Sequence, residues 1–599
     1  MNTYNTIQYN TIQYNTIQYN DILISLLNHP FTNQRNLSEL TGYSLGAVNK
    51  CLTTLVEDGL LTKSYTLTQK ATSHIKDSSP STAIILAAGF GMRMVPINTV
   101  SSKGLLEIDG EPLVERLIKQ LNQVGINEIY IVVGFMKEQY DYLIDKYNVH
   151  LIVNTEYASK NNLHSLALAK EHLANSYIIP CDVWCNKNPF SKSEAYSWYM
   201  VSEIIAEDSN IRVTRKRQLV KTDSNGNSMI GISYITKNDS KKLKKLLEKF
   251  DSDSHYENSF WEGALFADEL VDSVEVFAKT VSSSDVVEIN TYEQLRELDE
   301  DSKSLKSDAI KTTAKVLNAD ESEIQNISIL KKGMTNRSFF FTCCGEKYIM
   351  RIPGEGTDKL INRDEEAQVY AAISGKGICD DLVYINPKNG YKITKFINNV
   401  KAADPSNESE LVACMKKLRD FHNMKLKVNH TFDIFGKIDF YQSLWNGNKS
   451  IYKDYEQTKA NVLSLKPFIE KHAQPFALTH IDAVYDNFLF SDKGLQLTDW
   501  EYSAMQDQDV DLAMWSIYAL YNKEQIDHLI DIYFEGNCPK LRRIKIYCYV
   551  AACGLLWSNW CEYKRNLGVE FGEYSLVQYR YAKDFYKIAS QELKEEEEK

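Results

Sequence analysis

No stretch of this 599-residue chain approaches the roughly 20 apolar residues that span a bilayer. The best candidate, Val550 to Trp557, is too short and reads as a buried helix. No basic start leads into an apolar segment at the N-terminus, so no secretory signal is expected. The eleven cysteines form no CxxC pair. Cys343 and Cys344 are adjacent and Cys181 and Cys185 are four apart, neither a usual zinc spacing, so reduced core thiols and a cytoplasmic location are expected. A basic excess is also missing. Against 68 Lys and Arg stand 80 Asp and Glu, a net charge of −12, which argues against a protein-wide surface for nucleic acid or anionic membrane. Local basic pockets for phosphates remain open.

What is present is ordinary for a folded protein, with 25% charged and 43% hydrophobic residues. The length exceeds one hydrophobic core, and at about 150 residues per domain it suggests three or four. Residues 1–19 are a low-complexity tail repeating NTIQY. Residues 20–76 have a helix-turn-helix pattern: an apolar run Ile22 to Leu27, a short helix at Leu37 to Leu40, a turn at Thr41-Gly42-Tyr43, and Ser44 capping a helix to about Asp58. Val48, Leu52, Leu55 and Val56 share one face of that helix. Gly59 ends it, and Leu60 to Gln69 alternates like a small wing. The segment looks like the winged helix of bacterial regulators. Residues 1–80 hold five basic and five acidic side chains, with Lys50 alone on the would-be recognition helix. DNA affinity comes largely from neutralising phosphates, so charge favours a docking or dimerising module, and hence a homo-oligomer, over a DNA reader. Lys76 to Ser81 reads as a polar linker.

Segment 82–300 opens with the apolar strand Ala83 to Ala88, which runs into GFGMRMVP. Ala88, Gly89 and Gly91 make a turn whose backbone N–H groups can approach a phosphate. Arg93 adds a forked, permanently charged donor, and Lys103 a second cation. The order that follows is βαβ-like, with Val114 to Val124 helical and Glu128 to Val133 a strand. It implies a doubly wound, Rossmann-like sheet.

The string LAAGFGMRMVP…SKGLLEIDGEPLVERLIKQL resembles the nucleoside-triphosphate transferases that activate sugars and phosphocholine. NNLHSLALA, IIPCDVWCNKNPF, FWEGALF and VVEINTYEQL narrow the likeness to bacterial phosphocholine cytidylyltransferases. The resemblance implies CTP and phosphocholine as substrates, Mg²⁺ on Asp182, and Trp261 and Glu262 for phosphocholine. The family's second metal-binding Asp ends an EID motif. Here the string is Glu288-Ile289-Asn290, so Asn290 is expected to coordinate through its carbonyl oxygen, the alternatives being that Glu288 or a water substitutes or that this active site is impaired. Arg93 and Lys103 would stabilise the departing pyrophosphate, and no general base is required.

Segment 309–599 carries HIDAVYDNFLF, residues 480–490, the H-x-D-x₄-N spacing of a kinase catalytic loop. Asp482 would accept the proton of an attacking hydroxyl, and Asn487 would reach Mg²⁺. Asp499 in LTDWEY follows twelve residues after Asn487 and fits the second metal ligand. KKGMTNRSFFF, with Gly333, Thr335 and Asn336, resembles the phosphate-covering loop of choline kinases. Arg351 stands in the strand YIMRI where protein kinases carry a lysine. Glu366 is its expected partner, with Glu365 the alternative. The resemblance runs through DWEYSAMQDQDVDLA and WSNW. It implies a protein-kinase-like fold, ATP as phosphate donor, and a choline cage of Asp511, Trp557, Trp560 and Tyr574.

Multidomain α/β and α+β architecture is therefore expected: winged helix, doubly wound nucleotidyltransferase, kinase-like module. The two activities are sequential, because the product of one is the substrate of the other. Choline would become phosphocholine and then CDP-choline, supplying phosphocholine for bacterial surface decoration. A sugar-phosphate nucleotidyltransferase fused to a sugar or aminoglycoside kinase is the alternative within enzymes. A choline- or nucleotide-sensing transcriptional regulator is the alternative of another class.

Overall fold

The computed structural model describes residues 17–99, 101–207, 209–266, 274, 276–330, 336–354, 360–566 and 571–598. Most of the NTIQY tail, together with Gly333 and Thr335, lies outside the described residues. The chain divides into two compact units between Ser307 and Asp308.

The first unit begins with a winged helix. Ile22, Leu37, Val48, Leu52 and Leu55 form its core, at the helical spacing of the sequence. Ser44 caps Leu45–Glu57 by accepting from Ala47 N at 3.3 Å. A single bridge, Leu61 to Leu67, makes the wing. After the wing a further helix forms, Gln69–Asp77, whose last turn takes in the start of the linker expected at Lys76 to Ser81. Thr68 caps it, and Ala71 and Ile75, four apart, bury its inner face. The linker itself is pinned down. Ser81 N donates to Asn175 O at 2.8 Å, and Asn175 Nδ2 donates to Asp77 O at 2.8 Å.

The rest of this unit is built on a seven-stranded sheet. From one edge its order is His150–Val153, Glu128–Val133, Thr82–Ala87 and Ser176–Pro180, then Gly226–Ile235, Trp198–Ala206 and Phe277–Val281. The first four strands are mutually parallel, and Gly226–Ile235 runs antiparallel to both its neighbours. In Thr82–Ala87, alternate residues enter different cores: Ala83, Ile85 and Ala87 one, Ile84 and Leu86 the other. A strand covered on both faces must be apolar throughout, which is why it reads as an unbroken run. The chain reverses direction beyond the carboxyl ends of Thr82–Ala87 and Ser176–Pro180, where open α/β sheets bind ligands.

The second unit opens with a five-stranded antiparallel sheet, ordered Gln325–Ile329, Asn336–Cys343, Glu346–Pro353, Lys392–Lys395, Leu382–Ile385. The helix Arg363–Ile373 carries Glu366. A helical lobe follows, dominated by Lys540–Asn566 and Glu573–Glu597. Gly554 permits the close approach of these two helices, since a Cβ there would meet Gln578 O at 2.8 Å. Val550 to Leu556 is wholly buried in the first of them. Among the described residues no helix is long and apolar enough to cross a membrane.

Candidate active sites

The loop after Thr82–Ala87 turns at Gly91, whose φ of 58° is left-handed and free of strain only for glycine. At Gly89 an added Cβ would meet no atom within 4 Å, so protein packing does not account for glycine there. Ala88 gives its carbonyl to Phe135 N at 3.0 Å. Ala88, Gly89 and Gly91 form the turn, and from it Arg93 reaches the wall of a cavity of about 820 Å³. Asp182, Glu262 and Glu288 line the same cavity. Asp182 follows the strand Ser176–Pro180, and Glu288 lies in Val286–Glu288, which pairs antiparallel with Val183–Cys185. Lys103 Nζ forms a salt bridge with Asp182 Oδ2.

Asn290 occupies the centre of this cluster in a role the sequence did not suggest. Its Oδ1 accepts from Arg93 Nη2 at 2.7 Å and from Lys103 Nζ at 2.8 Å. It also hydrogen-bonds Glu288. The carbonyl oxygen expected to face a metal therefore faces two cations. The carboxylate opposite Asp182 is Glu288, whose pKa is raised by burial and then by the charge of Asp182. Asp182 Oδ1 is buried without a hydrogen-bond partner. Asp182 Oδ1 and Glu288 thus offer hard oxygen donors that fit Mg²⁺.

In the same cavity Glu262 is pushed up to about 7 by burial. Tyr199 OH donates to its Oε1 at 3.1 Å, and its Oε2 is buried without a partner. Trp261 is a correction. It is 1% exposed, packs in the core beside Tyr199, and does not line the cavity. Tyr199, Phe250, Tyr256, Phe260 and Phe266 are the aromatic walls. In the string FWEGALF the larger tryptophan drew attention, but burial of the neighbouring strand face claimed it.

In the second unit a cavity of about 510 Å³ gathers the kinase motifs. Asn336, Arg351, Asp482, Asn487 and Asp499 line it, as do Trp557, Trp560 and Tyr574. Arg351 pairs with Glu366, not Glu365: Nη2 donates to Oε2 at 2.8 Å, and Nη1 bonds Oε1. Burial alone would raise Glu366, but the charge and hydrogen bonds of Arg351 hold it at about 2. Arg363 Nη1 bridges Glu366 at 3.0 Å and Glu501 at 3.2 Å, and Asn336 Nδ2 donates to Glu501 at 2.8 Å. Glu501 and the cavity-lining Lys392 were missed by motif reading, although Glu501 lies two residues past Asp499 in LTDWEY.

Asp482 is pushed up to about 8 by burial and then by Asp499 and Glu501. Asp499 is raised to about 7 by burial and Glu501. Asn487 Nδ2 donates to Asp482 O at 2.9 Å, closing the loop. Asp482, Asp499 and Glu501 are three carboxylates lining one cavity with Asn487, hard oxygens of the kind Mg²⁺ takes, although among the described residues no group of three or more such side chains is arranged to hold a metal ion.

Asp511 is the second correction. It is fully buried and does not line the cavity. Its Oδ2 accepts from His480 N at 2.9 Å and lies 2.9 Å from His422 Nε2, and its Oδ1 accepts from Ile481 N at 2.7 Å. Ile481 has a φ of 69°, a conformation costing a β-branched residue about 1–3 kcal/mol. Asp511 therefore holds the strained loop at His480 and Ile481 in place and stands apart from the cavity. Tyr502 and Tyr518 join the tryptophans on the wall. Tyr502 meets Trp557 edge-on at 6.0 Å, and Trp557 meets Trp560 at 5.4 Å.

Fold and sites together define two transferase modules, a nucleotidyltransferase and a protein-kinase-like phosphotransferase, behind a winged helix. Residues 327–538 match the choline/ethanolamine kinase family model, 83–193 the MobA-like NTP transferase domain, and 20–62 the winged helix-turn-helix DNA-binding domain. The chain is 33% identical over 225 residues to the choline-phosphate cytidylyltransferase of Streptococcus pneumoniae, covering 36% of this chain and 96% of that protein. It is 27% identical over 256 residues to protein LicA of Haemophilus influenzae, covering 41% of this chain and 95% of that protein. The choline kinase LicA of Streptococcus pneumoniae superposes with a TM-score of 0.42 at 26% identity, covering 46% of this chain and 97% of that one. The chain belongs to the choline-phosphate cytidylyltransferase family.

Proposed function

We propose that the protein makes CDP-choline in two steps, one in each unit. The observation that carries this reading is the convergence of two complete phosphate-handling clusters in one chain, Arg93–Lys103–Asp182–Glu288 and Arg351–Asp482–Asn487–Asp499. The second is walled by Trp557, Trp560 and Tyr574.

In the kinase unit the choline hydroxyl oxygen attacks the γ-phosphorus of ATP. The bond from that phosphorus to the bridging oxygen breaks, and ADP leaves. Asp482 takes the hydroxyl proton. Its raised pKa suits a base whose conjugate acid persists near neutrality. Arg351, fixed by Glu366, presents its charge to the phosphates. Asn487, Asp499 and Glu501 would hold Mg²⁺, which would supply positive charge against the transferring phosphoryl group. A trimethylammonium group donates no N–H hydrogen bonds, so aromatic faces and carboxylates must hold it. Trp557, Trp560, Tyr574, Tyr502 and Tyr518 provide the faces, and Glu501 the charge.

In the nucleotidyltransferase unit a phosphate oxygen of phosphocholine attacks the α-phosphorus of CTP, and pyrophosphate leaves. Arg93 and Lys103 stabilise the charge on the leaving group, and Asn290 locks both cations in place through its carbonyl. Asp182 and Glu288 would hold Mg²⁺. Glu262 supplies the negative charge facing the trimethylammonium end, backed by Tyr199. The test is the purified chain with choline, ATP, CTP and Mg²⁺, following phosphocholine and CDP-choline by mass. Absence of either product refutes the corresponding half.

A further inference from the structure

Besides the tie from Asn175 to Asp77, the winged helix meets the nucleotidyltransferase at Asp21, on a path that leads to the cavity. Asp21, on the helix 17–28, receives three donors. Tyr196 OH donates to its Oδ1 at 2.8 Å, and Arg217 Nη1 to its Oδ2 at 2.7 Å. Tyr43 OH, from the turn before the Ser44 cap, donates to Oδ2 at 2.5 Å. Arg217 Nη1 also lies 3.4 Å from Tyr43 OH. Two of these donors, Tyr196 and Arg217, belong to the nucleotidyltransferase, so the contact joins two folded modules of one unit.

Arg217 is the tip of a hairpin made of Ile211–Val213 and Leu219–Lys221. Its φ is 62°, left-handed for a non-glycine residue, and it is held there from both sides. Its carbonyl accepts from Ala278 N at 2.7 Å, and its guanidinium is taken by Asp21. At the other end of the same hairpin, Asn210, Ile211 and Lys221 line the cavity with Glu262 and Tyr199. A two-stranded ribbon with strands of three residues is marginal alone. Val213 N, donating to Asn227 Oδ1 at 3.2 Å, and a bridge from Gln218 to Phe277 tie it to the sheet, and Asp21 adds the tie from the winged helix at its turn.

We propose that Arg217 is a positioning residue for cytidylyl transfer, and that the winged helix, through Asp21 and Tyr43, is the clamp that fixes the cavity wall carried by its hairpin. This rests on the reading of that cavity as the CTP and phosphocholine site. The winged helix then serves catalysis from behind the wall, as a built-in part of the enzyme. It also gives any ligand that moves the helix 17–28 or the Tyr43 turn a route to the site.

The test uses the full chain. Arg217→Met keeps the aliphatic stem and removes the charge, Asp21→Asn keeps the shape, and Arg217→Lys keeps the charge. Arg217→Met and Asp21→Asn are each expected to raise the phosphocholine KM roughly fivefold or more, with kcat within about twofold, and Arg217→Lys to recover most of the loss. Choline phosphorylation by the same preparations should match the unaltered chain. The two disruptive variants lie on opposite sides of the contact, so a folding defect on one side leaves the other to decide. An active unaltered chain with unchanged KM in either folded variant overturns the inference, as does a fall in kcat at constant KM. An unaltered chain that converts no phosphocholine and CTP refutes the reading of the cavity, and the inference with it.

Discussion

Replacing Trp557 by leucine isolates the aromatic face of the choline cage. Leucine keeps apolar bulk and removes the π system. Trp557 lines the cavity, its indole N–H points at Met514 Sδ at 3.2 Å, and Tyr502 packs edge-on against it. Its ring orientation is therefore fixed before substrate arrives. Trp560 differs: it is 3% exposed, and the Lys564 ammonium already lies 5.6 Å from its ring centroid. A desolvated cation–π contact contributes about 1–2 kcal/mol, and about 1.4 kcal/mol is one decade in affinity. Trp557→Leu should thus raise the choline KM about tenfold, with the ATP KM little changed. Trp560→Leu should raise it less and lower the melting temperature more, since that ring is mostly packing. Ethanolamine can donate N–H bonds to Glu501, so its KM should rise by a smaller factor and the preference for choline should shrink. Steady-state assays with each alcohol, at saturating ATP, read all of this. An unchanged choline KM in folded Trp557→Leu, or a chain that phosphorylates a sugar better than choline, refutes the cage.

The remaining predictions concern the other groups. Asp482→Ala should abolish choline phosphorylation and leave cytidylyl transfer from supplied phosphocholine intact; loss of both activities in a folded variant contradicts two separate sites. Asp182→Ala should remove cytidylyl transfer, while Glu288→Gln should raise the Mg²⁺ needed for half-maximal rate and Asn290→Asp should maintain or raise the rate, a titration with Mg²⁺ being the measurement. If Glu288→Gln leaves the Mg²⁺ dependence unchanged, Glu288 is not a ligand. Glu262 titrates near 7, above the usual carboxylate range, so it gains its charge only as pH rises through about 7. Phosphocholine KM should fall across that interval in the unaltered chain by more than in Glu262→Gln, which cannot ionise, and parallel profiles would remove Glu262 from the site.

The elements legible in the sequence were those whose chemistry is local. A strand buried on both faces must be apolar at every position, so Thr82–Ala87 was plain. The Ser44 cap and the face Val48, Leu52 and Leu55 follow from helical spacing. Asp482, Asn487 and Asp499 are close in sequence because one loop and one hairpin carry them, so their spacing alone announced a kinase loop. Which carboxylate does which task was decided elsewhere. Asp511 has the acidic side chain a cage needs, but the fold places it against His480 N and Ile481 N, where a buried carboxylate is stable only with both oxygens satisfied. Trp261 and Glu262 are adjacent, yet one faces the core and the other the cavity. Asn290 meets Arg93 across 197 residues, and Asp21 meets Arg217 across 196. No local rule reaches across such intervals. Sequence fixes what each side chain can do, and tertiary packing fixes which partner it meets, because desolvation favours pairing a buried polar group with whichever partner the fold brings within reach.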